Sequence, residues 1–213
     1  LPICTGSLPV NDSFVVQDFN GSVHGAVNLK QAFLHSCNSV FASLAIELGD
    51  GALRAEAESF GFNQNFLFRD LVVYNSSYPS KDRTPEAVAA SGYGQSALTV
   101  TPLHLCLIAA SVANNGLMPE PRLLLNVRSA SGTPVLRFSS STVRRTCSEE
   151  NAKVLQEMMK AVVQSGGSGT QASVQSMDVH GKTGTAESTL NGSAINYGWF
   201  AGYSGNASLP VAV

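Results

Sequence analysis

Residues 1–28 are rich in Gly, Ser, Asn and Asp, with short β-branched pieces between them, a pattern of loop carrying one hairpin. Asn28 is placed to cap a helix that begins at Leu29 and stops near His35, just before Ser36-Cys37-Asn38. Val40, Phe41, Leu44, Ala45 and Leu48 then recur at helical spacing, and Gly49 ends that helix as a C-cap would. A third short helix is expected over about 52–60, ending at Gly61. Residues 62–84 show no clear period and many turn formers. Pro85 opens a short helix to Ala90, and Ser91-Gly92-Tyr93-Gly94-Gln95-Ser96 reads as a flexible loop. Thr101 and Pro102 make a helix start, a cap residue with Pro at the first helical position. The segment from there to Asn114 is apolar almost all round, which marks a buried helix.

Residues 123–127 and 135–138 pattern as a hairpin about Ser131-Gly132. Ser148 caps an amphipathic helix with Leu155, Met158, Met159, Val162 and Val163 on one face. A Gly-rich loop follows at 165–170. From Val174 the period falls to two. One strand enters Lys182, a turn falls at Asn191-Gly192, and a second strand runs through Trp199-Phe200-Ala201-Gly202-Tyr203. A turn at Gly205-Asn206 leads to a last strand at Val211-Ala212-Val213. Helices first and strands later predict an α+β fold, an antiparallel sheet flanked by helices. The helical part covers about 29–164 and the sheet part about 172–213, with no internal repeat.

Composition narrows the classes. At 44% hydrophobic and 13% charged over 213 residues, the chain is globular and long enough for one sizeable core or two small ones. A net charge of -2 and no run of Lys or Arg exclude an electrostatic footprint for nucleic acid. The most apolar stretch, 103–113, is far shorter than the roughly 20 residues a bilayer core requires. Leu1-Pro2-Ile3-Cys4 has neither the basic region nor the apolar run of a signal peptide, and without an initiator Met the chain reads as an excised piece. The four cysteines, Cys4, Cys37, Cys106 and Cys147, form no Cys-x-x-Cys pair and are read as reduced and structural. His24, His35, His104 and His180 show no ligand spacing, so neither a metal nor a cofactor is expected.

Candidate chemistry lies in two short motifs, Ser36-Cys37-Asn38 and Lys182-Thr183-Gly184-Thr185-Ala186-Glu187. Acyl transfer on a peptide needs a nucleophile, a proton carrier, oxyanion donors and a cation for the substrate's carboxylate. A Lys at a strand end is a point charge aimed at a cleft, Thr hydroxyls are carboxylate donors, and Gly184 admits a substrate backbone. Each motif alone also has a plain structural reading, a strand end entering a turn or the cap of the helix that follows. Cys37 is expected to point into the core, Trp199 to pack on the sheet, and Glu187 to be a solvated strand-end carboxylate.

Together the motifs resemble two of the three elements, Ser-x-x-Lys, Ser-Asp-Asn and Lys-Thr-Gly, that mark β-lactamases and penicillin-binding proteins, with Cys37 at the middle position of Ser-x-Asn, which varies in the family. The chain resembles the transpeptidase domain of class B penicillin-binding proteins from about residue 10 to 213. Further segments carry the likeness: Ala32-Phe33-Leu34-His35 before the first motif and Ser39-Val40-Phe41 after it, then Gly94-Gln95 with Leu98-Thr99-Val100-Thr101-Pro102-Leu103, and Trp199-Phe200-Ala201-Gly202-Tyr203. The resemblance implies a β-lactamase/transpeptidase-like fold, incomplete at both ends. It casts Ser36 as the serine that passes a proton to the leaving amine, and Asn38 as a contact of the substrate amide and the catalytic lysine. Lys182 would support that proton movement. Thr183 and Thr185 would bind the carboxylate, the Thr185 N–H would be one oxyanion donor, and Gly184 would keep the groove open.

One departure is large. The residues three before Lys30, Lys81, Lys153, Lys160 and Lys182 are Val27, Tyr78, Glu150, Glu157 and Val179, so the chain contains no Ser-x-x-Lys. In the family that motif lies upstream of Ser-x-Asn, and a C-terminal helix packs on the sheet. The expectation is a truncated D,D-transpeptidase, inactive alone, whose parent cross-links peptidoglycan stem peptides and is acylated by β-lactams. The parent would be membrane-anchored outside this segment and would act at the extracytoplasmic face of the bacterial cell membrane.

Overall fold

The computed structural model describes residues 3–65, 72–79, 83–190 and 192–213. Part of the irregular stretch expected at 62–84, and Asn191 of the expected turn, lie outside the described residues. The N-terminal region is more regular than its composition suggests. Strands β1 (Ile3–Cys4), β2 (Ser7–Asn11), β3 (Phe14–Gln17) and β4 (Gly25–Ala26) form two antiparallel pairs, β1 with β4 and β2 with β3.

Helix α1 (Leu29–His35) starts at a full capping box. Asn28 Oδ1 accepts from the Gln31 N–H, and Gln31 Oε1 accepts from the Asn28 N–H, both at 2.9 Å. It ends in a Schellman turn. The Ser36 N–H donates to Phe33 O at 3.2 Å and the Cys37 N–H to Ala32 O at 2.9 Å. Helix α2 (Asn38–Ser59) follows at once and is broken at Gly49, whose φ of 78° and ψ of 161° are not helical. The break falls where the sequence pattern ends one helix and begins another. Helix α3 (Pro85–Gly92) carries two residues assigned by sequence to the following loop. Gly92 is needed there, because a Cβ would stand 2.4 Å from Phe41 O and 2.6 Å from Ala45 Cβ on α2.

Helix α4 (Pro102–Ala113) is capped by Thr101 and leads to β5 (Leu117–Pro119). Next come β6 (Asn126–Arg128), β7 (Pro134–Arg137) and β8 (Thr142–Arg145). β6 pairs with β7 in the expected hairpin, and β5 with β8, so small strands interrupt the part read as helical. Helix α5 (Glu149–Val163) is capped by Ser148 and buries Met158, Met159, Val162 and Val163. The long antiparallel pair β9 (Val179–Leu190) and β10 (Ser193–Ser204) then holds Thr183 opposite Phe200 and Thr185 opposite Gly198. The last residues join β10 through a bridge between Tyr203 and Ala212, with backbone bonds linking Gly202 to Val213 in both directions.

Among the described residues three clusters make the core. Ala109 and Val112 of α4, Met159 of α5 and Tyr203 of β10 meet with Phe33 of α1 partly buried against them, so the helices cover one face of the long pair. Cys4, Val27, Ala32, Cys37 and Val40 pack around the α1–α2 junction. Val16, Ala42 and Ala89 join the β2–β3 hairpin to α2 and α3. The paired glycines Gly181 and Gly202 sit under the Phe200 ring, where a Cβ on Gly181 would lie 2.3 Å from it.

Candidate active site

Ser36 is the residue on which the site turns. It occupies the left-handed position of the Schellman turn, φ 56° and ψ 45°, where glycine is the usual occupant. That conformation lifts its side chain out of the helical path and toward the strand β9. The Lys182 ammonium donates to Ser36 Oγ, a contact between residues 146 apart in sequence. It also donates to Thr183 O at 2.8 Å and lies 5.6 Å from the centre of the Phe33 ring. Burial pushes the Lys182 amine down from 10.5 to about 8, because the charged form loses hydration that these contacts replace only in part.

Asn38 opens α2. Its side-chain amide donates to Gln17 O at 2.9 Å, which ties the start of the helix to the end of β3. Between Ser36 and Asn38, Cys37 is fully buried and makes no capping bond. Desolvation raises its thiol to about 12, with the Asp18 carboxylate among the lesser contributors, so the thiol is no nucleophile.

On β9 the bonds identify the open edge. In an antiparallel strand the N–H and C=O of one residue point to the same edge. Thr183 O accepts from Lys182 and Thr185 O accepts from Gln95 Nε2 at 3.0 Å, both side chains and neither from β10. The N–H groups of Thr183 and Thr185 therefore face the same open edge, while Gly184 faces Trp199 of β10. By the alternation of strand side chains, Gly184 shares a face with Lys182, and Thr183 shares the other with Thr185. A Cβ on Gly184 would make only ordinary contact with Trp199, so the fold itself has room for a side chain there.

The structure thus brings Ser36, Asn38, Lys182, Thr183, Gly184 and Thr185 to one edge and one helix junction. Three contributors had no signal in sequence spacing: Phe33 beneath the ammonium, Gln17 at the Asn38 amide, and Ser168, whose hydroxyl lies 3.0 Å from Thr183 Oγ1. The loop of 91–96 is anchored, since Gln95 reaches Thr185 and its own N–H donates to Ala90 O. Glu187 is exposed and Trp199 half-buried. Beside the site, Cys4, Asp18, His24 and Cys37 hold their ligand atoms within 4.8 Å of one another, a grouping that no sequence spacing announced.

Comparison with known proteins gives a consistent picture. Residues 6–213 match the family model described as penicillin binding protein transpeptidase domain. The peptidoglycan D,D-transpeptidase PbpA of Mycolicibacterium smegmatis is 32% identical over 187 residues, which cover 84% of this chain and 37% of that protein. The D,D-transpeptidase domain of a peptidoglycan glycosyltransferase from Eggerthella lenta superposes with a TM-score of 0.85 at 30% identity, over 99% of this chain and 52% of that one. Penicillin-binding protein A from M. tuberculosis, solved as a penicillin G acyl-enzyme complex, gives 0.84 at 26% identity, over 99% of this chain and 47% of that one. The chain therefore spans about a third of the length of its curated relative and about half of the solved chains.

Proposed function

The chain belongs to the penicillin-binding protein transpeptidase family, of the class B type, and from this we propose that it forms the proton-relay and substrate-binding wall of a D,D-transpeptidase that cross-links peptidoglycan. The observation that carries the proposal is the contact of Lys182 with Ser36 at the open edge of β9. Because Ser36 Oγ accepts from the ammonium, its own proton is free to point at a third group. In the proposed step that group is the amine leaving the D-Ala-D-Ala bond, and Lys182 steadies the serine oxygen as the proton departs. Asn38 keeps its amide nitrogen on Gln17, which leaves its carbonyl oxygen to accept from the substrate amide.

The peptide would lie along β9 as an added strand, using the Thr183 and Thr185 backbone groups. Thr183 and Thr185 hydroxyls would hold its terminal carboxylate, and Gly184 would leave the groove unfilled. The Thr185 N–H would be one oxyanion donor. The Lys182 ammonium beside a carboxylate-binding pair also suits a β-lactam, which presents a carboxylate next to its reactive carbonyl. The relatives named peptidoglycan D,D-transpeptidase and the neighbour holding penicillin G as an acyl-enzyme support this reading.

The 213 residues contain no Ser-x-x-Lys, so in this proposal the nucleophile is supplied by sequence outside them. The whole protein would be held at the extracytoplasmic face of the membrane by a segment outside this chain. Among the described residues no helix is long and apolar enough to cross a membrane. Intact mass after incubation with a penicillin tests the proposal, on this chain and on the protein extended upstream. An adduct on the extended protein alone is expected. An adduct on this chain would mean that one of its own serines is the nucleophile and that the roles above are misassigned. No adduct on either would favour a module that binds peptide or β-lactam without acylation. Product analysis with an amine acceptor would separate transpeptidation from a carboxypeptidase or β-lactamase, in which water takes the acyl group.

A further inference from the structure

We propose that Cys4, Asp18, His24 and Cys37 form a structural zinc site that fixes the α1–α2 junction carrying Ser36 and Asn38. The four ligands come from four separate segments: Cys4 from β1, Asp18 from the turn after β3, His24 from the loop before β4, and Cys37 from the cap of α2. Cys4, Asp18 and Cys37 are buried, at 1%, 2% and 0% exposure, and His24 is half-buried.

Two of the ligand spacings are those of a coordination sphere, and the others are close enough to draw in around an ion. Zinc binds sulfur at about 2.3 Å and imidazole nitrogen or carboxylate oxygen at about 2.0–2.2 Å, so the edges of a tetrahedron around it run from roughly 3.3 to 3.8 Å. Cys4 Sγ stands 3.2 Å from His24 Nδ1 and 3.3 Å from Asp18 Oδ2, and all four ligand atoms fall within 4.8 Å of each other. Two sulfurs, one imidazole and one carboxylate, three of the four residues buried, select zinc over the harder cations, which prefer oxygen ligands.

The surroundings suit a bound ion. On binding, both thiols lose their protons to solvent, leaving two thiolates and a carboxylate around a dication with a net charge of -1. The N-terminus of α2 begins at the cluster, and its partial positive charge opposes that excess. Ser39 holds Asp18 from two sides, its hydroxyl donating to Oδ2 at 2.5 Å and its N–H to Oδ1 at 3.2 Å. The His24 N–H donates to Cys4 Sγ at 3.4 Å, and the His24 ring stacks on His35 at 4.9 Å, fixing its plane. These are the outer contacts that orient metal ligands. The zinc site does not rest on the catalytic proposal, since it is drawn from the ligand atoms alone.

The test is made on the 213-residue chain, purified reduced and without chelator. Elemental analysis should find close to one zinc per chain, retained through dialysis. Stripping with a strong chelator should lower the melting temperature, and zinc should restore it. Cobalt added to the stripped protein should give a near-ultraviolet sulfur-to-cobalt band and visible bands of tetrahedral intensity, which report thiolate ligation without any reference to activity. His24→Ala should weaken zinc binding by at least about ten-fold, the loss that even outer-contact changes bring. Cys4→Ser should leave a weaker sulfur-to-cobalt band, because Cys37 remains as the one thiolate ligand, and if that variant does not fold, the wild-type spectrum still decides. The proposal is overturned by wild-type protein with little zinc and no thiolate–cobalt band. It is equally overturned by zinc retained in both variants, or by a mass lower by one hydrogen per sulfur with no free thiols, which would make Cys4 and Cys37 a disulfide.

Discussion

Lys182 and Ser36 set the terms at the level of single residues. Burial lowers the Lys182 amine to about 8, so between about pH 8 and 10.5 the unfolded chain holds a proton that the folded one has released. Stability should therefore rise with pH across that window, and the penalty of the buried charge is fully present below it. The proposed relay uses the protonated amine, so β-lactam acylation of a protein that includes the nucleophile should fall over the same range. Opposite trends in melting temperature and acylation rate would separate the two effects. Lys182→Met should lower acylation by about 10²–10³-fold, within the usual range for a proton-transfer group. It should leave the melting temperature unchanged or higher, because a desolvated charge is removed. Ser36 gives a second contrast. A left-handed backbone costs a residue with a Cβ about 1–2 kcal/mol. Ser36→Gly should accordingly melt above Ser36→Ala, while both lose acylation alike. Equal melting temperatures would mean the turn relaxes in the variants.

Among the elements, short local signals decide where the site residues stand. The Asn28–Gln31 capping box fixes the start of α1, and the Schellman turn one helix later fixes Ser36. Asn28→Ala should lower stability by about 1 kcal/mol, read as a shift in denaturant midpoint with unchanged slope. Gly92 is where α3 meets α2 most closely. Gly92→Ala forces the helices apart and should cost about 1–3 kcal/mol, as overpacking does. Because Gln95 follows on the same segment and bonds Thr185 O, the variant should also loosen that tie. Faster amide exchange at 94–96 and along β9, beyond the change in global stability, would show it.

Taken as a whole, the molecule is unusually open. Its accessible surface is 12453 Å2, whereas a compact monomer of its 22.3 kDa exposes roughly 9,400 Å2. Part of the excess is apolar. Leu125, Val135 and Leu136 stand exposed on and around the β6–β7 hairpin. An open hollow of about 180 Å3 lined by Val179, Phe200, Tyr203, Val211 and Val213 lies against the long strand pair. The isolated chain should melt over a broad range and bind a hydrophobic dye, and a sharp cooperative melt without dye binding would contradict this. Much of this architecture was legible in the sequence. The cap at Asn28, the break at Gly49, the Thr101-Pro102 start and the two-residue period from Val174 are local, and local chemistry fixes helix ends and strand faces. The two motifs could be named for the same reason, as each is a short run whose residue types suit its setting. What the sequence could not contain is distance. The Lys182–Ser36 contact spans 146 positions, and the Cys4, Asp18, His24 and Cys37 grouping follows no spacing rule. Such contacts are decided by how helices and strands pack, since packing is set by the fit of whole surfaces and not by the order of neighbouring residues.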